Sequence, residues 1–268
     1  MIPVVWVDAF CDRPFAGNPA AVVILEGPAP AGAMQALAAE LGLSETAYVW
    51  PLGDGFSLRW FTPSTEVDLC GHATVAARHA LETTGRVRAG DAVRFHSRSG
   101  VLTATGASGS VELDFPAEVP RPVAVPAALA PWPAVAAAEG RFDLLVELDD
   151  ADSVRKLRPA ATELEHLDYR GVIATAAGEE HDYVLRFFAP GVGVDEDPVT
   201  GSAQCLLGPY WSARLGRRSL RAAQLSERGG TLDVVVDGER VRISGAAVTV
   251  LEGRVSGEVA RRLTDAPC

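Results

Sequence analysis

Glu45 stands in Leu43-Ser44-Glu45-Thr46-Ala47, a carboxylate between a glycine-terminated helix and a run of strand formers. Apolar flanks leave a carboxylate poorly solvated, which raises its proton affinity toward the range useful for moving protons near neutral pH. Read alone, an exposed strand-edge glutamate is the plainer description. His72, in Cys70-Gly71-His72-Ala73-Thr74, falls in the first turn of an expected helix. There the helix dipole disfavours the imidazolium and keeps the ring neutral, as a hydrogen-bond partner or proton shuttle. A buried histidine with satisfied hydrogen bonds is the alternative. Asp197 lies in Glu196-Asp197-Pro198-Val199-Thr200-Gly201-Ser202-Ala203. Spacing alone favours an N-terminal capping role for Asp197-Pro198 together with Ser202.

The two glycine-led segments are related. Phe61-Thr62-Pro63 precedes Cys70-Gly71-His72-Ala73, and Phe188-Ala189-Pro190 precedes Thr200-Gly201-Ser202-Ala203 across a slightly longer loop. Ala73, Ala76, Ala77, Ala80 and Leu81 take the helical offsets i, i+3, i+4, i+7 and i+8, and Ala203, Leu206, Leu207, Tyr210 and Trp211 take the same offsets. Neighbouring positions are apolar too, so each helix is expected to be buried on more than one side, as a helix wrapped by a curved sheet would be. Pro209 is expected to kink the second helix. Helix N-termini present unpaired N–H groups and positive dipole ends, so two of them facing a cleft between domains would form a carboxylate or phosphate site. Glycine at 71 and 201 would let a ligand approach the backbone.

The elements that must hold these residues are short strands punctuated by turns. Val4–Phe10 and Ala20–Leu25 flank a loop with the turn signal Gly17-Asn18-Pro19. A helix is expected over Ala33–Leu41, strands at Thr46–Trp50 and Phe56–Phe61, a helix over 71–83, and strands at Ala92–Ser97, Val101–Thr105 and Ser110–Phe115. Five prolines within Pro120–Pro133 suit an interdomain crossing. This divides the chain into domains 1–117 and 118–268, with the extreme C-terminus free to return to the first. The second half repeats the order: strands at Phe142–Leu148, Val172–Ala176 and Tyr183–Phe188, a helix over Ala161–Leu167, a central helix over 201–215, and strands near Leu232–Val236, Val241–Ser244 and Ala247–Leu251.

Composition removes several function classes. In 268 residues, 24 basic against 35 acidic side chains leave a net charge of −11, which is unsuited to a nucleic-acid surface. No apolar run approaches the ~20 residues that cross a bilayer, and Met1-Ile2-Pro3 lacks a basic segment leading into an apolar one, so a cytoplasmic location is expected. Cys11, Cys70, Cys205 and Cys268 form no C-x-x-C pair, and reduced thiols are expected. The five histidines include no H-E-x-x-H, and His72 and His79 stand about 10 Å apart along a helix, so no metal site is expected. Gly191-Val192-Gly193 lacks the rest of a dinucleotide fingerprint, and neither a phosphate-binding loop nor a hydrolase elbow is present. Chemistry without a cofactor is the simplest expectation.

The blocks Asp8-Ala9-Phe10 through Phe15-Ala16-Gly17-Asn18-Pro19-Ala20, Leu43 to Ala47, Arg59-Trp60-Phe61-Thr62-Pro63, Leu69 to Thr74 and Glu196 to Ala203 occur in one order, and Gly245 to Gly253 closes the series. Together they resemble the PhzF-like phenazine biosynthesis family across nearly the whole chain. The resemblance implies the diaminopimelate epimerase-like fold: an α/β (α+β) protein of two pseudo-symmetric domains, each a strongly curved, mostly antiparallel sheet around a central helix. It also implies a homodimer, and a cofactor-free isomerase like the one that acts on trans-2,3-dihydro-3-hydroxyanthranilate. Glu45 matches that family's acid/base, and His72, Asp197 and Ser202 match its supporting residues. A small carboxylate-bearing substrate would dock at Gly71, Ala73, Gly201 and Ala203, with Asn18 and Thr200 as further substrate-binding candidates.

Two alternatives remain from the sequence. Relatives on this fold include racemases with a cysteine at the start of each central helix; Cys70 fills the first position, but Thr200, with no activating base evident, fills the second. Cys205 lies inside the second helix and is expected to be inert. An epimerase or racemase of amino or hydroxy acids pairing Cys70 with Glu45 stays open, as does a non-catalytic small-molecule binding module. Arg59, Trp60 and Asp68 are candidates for specificity.

Overall fold

Runs of β-branched and aromatic residues become strands at most of the expected places. The computed structural model describes residues 1–107 and 109–264; Cys268 lies outside them. In chain order the elements are β1 (Pro3–Ala9), β2 (Asn18–Ile24), α1 (Ala31–Leu41), β3 (Glu45–Leu52), β4 (Gly55–Phe61), β5 (Glu66–Val67), α2 (Gly71–Thr83), β6 (Ala92–Ser97), β7 (Gly100–Ala107) and β8 (Ser110–Pro116). They continue with β9 (Arg121–Val123), β10 (Ala134–Glu139), β11 (Asp143–Leu148), α3 (Ala151–Lys156), α4 (Ala161–Leu164), β12 (Gly171–Ala177), β13 (Tyr183–Ala189) and β14 (Val194–Asp197). Last come α5 (Gln204–Leu215), β15 (Ser219–Gln224), β16 (Gly230–Asp237), β17 (Arg240–Arg254) and α6 (Gly257–Thr264). No described helix is long and apolar enough to cross a membrane.

The chain divides into two units, one of Met1–Asp114 with the segment from Ser244 onward, the other of Phe115–Ile243. The division falls at 114/115 rather than 117/118. The return to the first unit begins at Ser244, within the long strand β17, and is not confined to the extreme C-terminus.

In the first unit β1 pairs antiparallel with β2, β2 parallel with β3, β3 antiparallel with β4, β4 parallel with β6, and β6 and β7 antiparallel with their successors. β1 pairs on its other edge with β17. Helix α2 packs against β1, β2, β3 and β7. Because β4 and β6 separate β3 from β7 in that order, the sheet curls around the helix. Residues Gly71 to Arg78, with Ala80 and Leu81, are all buried. Alanine on several faces lets strands approach from more than one side, the arrangement expected from the sequence.

The second unit repeats the pattern within itself. β10 pairs antiparallel with β11, β11 parallel with β12, β12 antiparallel with β13, β13 parallel with β15, and β15 antiparallel with β16. The short strands β5 and β14 lie antiparallel to β4 and β13 respectively. Parallel and antiparallel pairs thus fall at matching places in the two halves.

Several expectations need correction. The central helix of the second unit starts at Gln204, not Gly201: Gln204 N–H bonds to Gly201 O and Cys205 N–H to Ser202 O, a tight i−3 turn that leads into the helix. Pro209 lies inside α5, where the sequence places it. The Cys205 carbonyl, which Pro209 has no N–H to bond, accepts the Glu118 N–H at 2.9 Å instead. The proline-rich crossing contains β9, and the apolar run after it forms β10. The helix expected over Ala161–Leu167 is the single turn α4, while α3 was not anticipated. Its signal is Asp150, whose carboxylate accepts the Ser153 N–H at 2.7 Å as an N-cap.

Candidate active site

Glu45 is the first residue of β3, opposite Ala20 of β2, and His72 is the second residue of α2. Fold and motif bring them together: Glu45 Oε2 lies 3.0 Å from His72 Nε2, with the glutamate side chain 18% and the histidine 7% exposed. The approach is close but misaligned, and Oε2 makes no hydrogen bond despite its burial. The carboxylate oxygen therefore sits in an ion-pair contact with capacity left for a further donor.

Cys70 is the N-cap of α2, in extended backbone conformation. Its carbonyl accepts from Thr74 Oγ1 at 2.5 Å, and its sulfur lies 3.5 Å from His72 Nδ1. No side chain caps the helix, so its first N–H groups keep the polarity that suits an anion. The donor atoms of Glu45, Cys70 and His72 all lie within 4.8 Å of one another, close enough to share one divalent ion. Gly71 and Ala73 are buried on either side of His72.

The histidine is not held neutral. Burial works against its charge, but the Cys70 sulfur and the Glu45 carboxylate more than offset burial and push its pKa well above the ordinary value. Burial and the Glu45 charge push the Cys70 thiol up, while the His72 imidazolium beside it pulls the other way. Cys70 Sγ at Nδ1 and Glu45 Oε2 at Nε2 both favour the charged ring, and these contacts outweigh the helix dipole.

Asn18, fully buried, opens β2 two residues before Ala20, the register partner of Glu45. The loop before it is strained: Phe10 and Phe15 have φ of 64° and 66°, and Gly17 has φ of 68°. Phe15 N–H donates to Asp8 Oδ2 at 2.8 Å, which holds the turn. Arg59 is committed to Glu66 through two hydrogen bonds of 2.6 and 2.7 Å, Trp60 is buried, and Asp68 is exposed.

In the second unit, Asp197 and Ser202 do not cap α5, whose N-cap is Ala203 with no side-chain cap bond. Thr200 Oγ1 instead donates to Asp197 Oδ2. The threonine therefore does have a carboxylate beside it, contrary to the expectation of no base. Two buried glutamines carry this loop. Gln224 accepts the Thr200 N–H at 2.8 Å and donates to the Asp197 carbonyl at 2.6 Å; Gln204 donates to the Thr200 carbonyl at 3.2 Å and accepts from Tyr183 at 2.5 Å. Gly201 and Ala203 are buried and Ser202 is half-buried, with Arg170 Nη2 donating to Ser202 Oγ at 3.2 Å. Sequence reasoning missed Gln204, Gln224 and Arg170, since a lone glutamine or arginine carries no spacing signal. Cys205 is buried and its pKa is pushed up to about 12 by burial, consistent with an inert thiol.

Comparison with known proteins completes the picture. The chain is 44% identical over 260 residues to an uncharacterized isomerase of Halalkalibacterium halodurans, covering 94% of this chain and 98% of that one. It is 48% identical over 252 residues to an uncharacterized isomerase of Pseudomonas aeruginosa, covering 93% and 96%. The crystal structure of a phenazine biosynthesis protein of the PhzF family from Enterococcus faecalis superposes with a TM-score of 0.91 at 40% identity, over 95% of this chain and 99% of that one. A hydroxyproline epimerase from Agrobacterium vitis, 14% identical, shares the fold with a TM-score of 0.64 over 94% and 91% of the two chains. The family model for phenazine biosynthesis-like proteins matches residues 7–253, and the chain belongs to this PhzC-PhzF family.

Proposed function

We propose that the protein is a cofactor-independent isomerase that moves a proton between two carbons of a small carboxylate-bearing substrate, with Glu45 as the acid/base. The observation that carries this reading is the contact of Glu45 Oε2 with His72 Nε2 at 3.0 Å, with no hydrogen bond spent on the oxygen. A carboxylate oxygen already engaged in structural hydrogen bonds has no lone pair to offer a substrate proton; this one keeps a lone pair vacant. The names of the relatives, isomerases in two organisms, support the reaction class.

In this mechanism the substrate carboxylate docks at Gly71 and Ala73, where an uncapped helix N-terminus offers N–H groups. Glu45 takes a proton from one carbon and returns it to another, and His72 relays or steadies charge on the same substrate. Asn18, Asp197, Thr200, Gly201, Ser202 and Ala203 keep the substrate-holding roles given by the family resemblance. The homodimer is part of the same proposal and is read by sedimentation velocity.

A second reading is favoured by one contact, Cys70 Sγ to His72 Nδ1 at 3.5 Å: an epimerase or racemase of amino or hydroxy acids in which Cys70 pairs with Glu45. The experiment is proton NMR in deuterated water with trans-2,3-dihydro-3-hydroxyanthranilate, run beside Glu45→Gln. Deuterium incorporation and turnover that vanish in the variant support the isomerase. Unchanged exchange in the folded variant overturns Glu45 as the base.

A further inference from the structure

In both units a side chain from the start of a strand reaches the residue that follows the motif glycine. Glu45 opens β3 and meets His72, next to Gly71. Arg170 immediately precedes β12 and donates to Ser202, next to Gly201. β3 and β12 hold the same place in their units, each parallel to the strand before it, with Ala20 opposite Glu45 and Asp143 opposite Gly171. In register Glu45 is matched by Gly171, and Arg170, one residue earlier and just outside the strand, is the side chain that brings a guanidinium to the residue after the second motif glycine.

Arg170 is fixed from several directions. Its Nε donates to Asp143 Oδ1 at 2.9 Å and its Nη2 to Asp143 Oδ2 at 2.5 Å. The guanidinium carbon lies 5.6 Å from the Phe142 ring centroid and 5.7 Å from that of Phe187. Gly171 makes this stacking possible, because a Cβ there would stand 2.3 Å from Phe187 Cζ. A guanidinium has donors and no acceptor, so Ser202 Oγ receives a hydrogen bond from it, and the serine's own proton is left to point elsewhere.

We infer that Arg170 is a positioning residue: clamped by Asp143, it occupies a lone pair of Ser202 and leaves the Ser202 hydroxyl proton for an oxygen of a carboxylate-bearing substrate. The inference rests on the proposed role of Ser202 in holding that substrate. It goes further in assigning direction to the serine and a task to an arginine that no motif marks.

The test measures binding of anthranilate, which carries a carboxylate, against aniline, which lacks one, by titration calorimetry and ligand-observed NMR. Wild type, Arg170→Gln, Arg170→Lys, Ser202→Ala and the double variant Arg170→Gln/Ser202→Ala are compared, each checked for an intact thermal transition. Loss of one hydrogen bond to a charged ligand is worth about tenfold in affinity. Arg170→Gln, Arg170→Lys and Ser202→Ala are each expected to weaken anthranilate about tenfold and leave aniline unchanged, with the double variant no weaker than Ser202→Ala.

Additive losses in the double variant would overturn the inference, because Arg170 would then act independently of Ser202. Full affinity in Arg170→Lys would overturn it too, since charge alone would suffice, and so would failure of wild type to prefer anthranilate at millimolar concentration. Deuterium exchange dependent on Glu45 reads the proposed reaction separately. Exchange without an Arg170 effect removes only this inference, and an Arg170 effect without exchange removes only the reaction.

Discussion

Glu45 Oε2 and His72 Nε2 stand 3.0 Å apart, one carried by the first residue of a strand and the other by the first turn of the helix around which that strand's sheet curls. A side chain from rigid sheet and another from rigid helix hold their separation better than two loop residues would. The pair joins a half-buried carboxylate to a buried imidazole whose charged form that contact favours, and the chemistry proposed here follows from it.

Shortening the carboxylate tests how far position matters. Glu45→Asp withdraws the oxygen by one methylene and is expected to slow proton transfer about a hundredfold or more, within the range that a positioned acid/base supplies. Glu45→Gln is expected to be slower still. Single-turnover deuterium incorporation reads both.

The raised pKa of His72 has a definite sign in stability. Its folded value lies well above the unfolded value of about 6.5. The stabilisation from its charged form is therefore fully present below about pH 6.5 and is lost as pH rises through the folded value. Denaturant titrations of wild type and His72→Gln should show a gap in stability that is widest near pH 6 and narrows toward alkaline pH. A gap that widened with pH would contradict the ion pair.

Cys70 should react slowly. Burial and the nearby Glu45 charge push its thiol up, so iodoacetamide labelling near neutral pH, followed by mass spectrometry, is expected to lag behind a free cysteine at least tenfold. Cys70→Ala is expected to retain proton transfer if Glu45 alone shuttles the proton. Abolished turnover in that folded variant would favour the thiol-using epimerase instead.

Gln224 ties the Asp197 loop through three hydrogen bonds, from Thr200 N–H and to the Asp197 carbonyl and Thr200 Oγ1. Gln224→Ala leaves buried backbone groups without these partners and is expected to cost about 3 kcal/mol. Urea denaturation measures this. The loss should exceed that of an exposed substitution such as Glu227→Ala.

Gly17→Ala is expected to destabilise by about 2 kcal/mol or more, because φ is +68° and a Cβ would stand 2.2 Å from the Ala9 carbonyl oxygen. Gly42→Ala is the comparison, with φ of +63° in open space; its cost should be about 1 kcal/mol. Thermal denaturation separates the steric part from the conformational part.

The sequence by itself determined the central helix of the first unit to its boundaries, most of the strands, and the duplication of a glycine-led motif after a Phe-x-Pro turn. These are local matters: side-chain period, turn residues and β-branched runs act over a few residues and are legible in order. It also marked Glu45 and His72 as chemically interesting, each with a plainer alternative. Tertiary structure supplied the surroundings that neither residue's neighbours in sequence reveal. The parallel pairing of β2 with β3 and the packing of α2 against β3 place the carboxylate on the imidazole, and neither is encoded by nearby residues.

The same limit explains the errors. A dipole argument held His72 neutral because the helix is visible in sequence and the opposing carboxylate, 27 residues away, is not. Asp197 and Ser202 looked like a cap, but glutamine side chains from β15 and α5 take the loop another way. Arg170 and Asp143 are likewise separated by 27 residues and meet only through β11 and β12. Charge, burial and hydrogen-bond direction depend on what the fold brings within a few ångströms, and that is set by pairings distant in the chain.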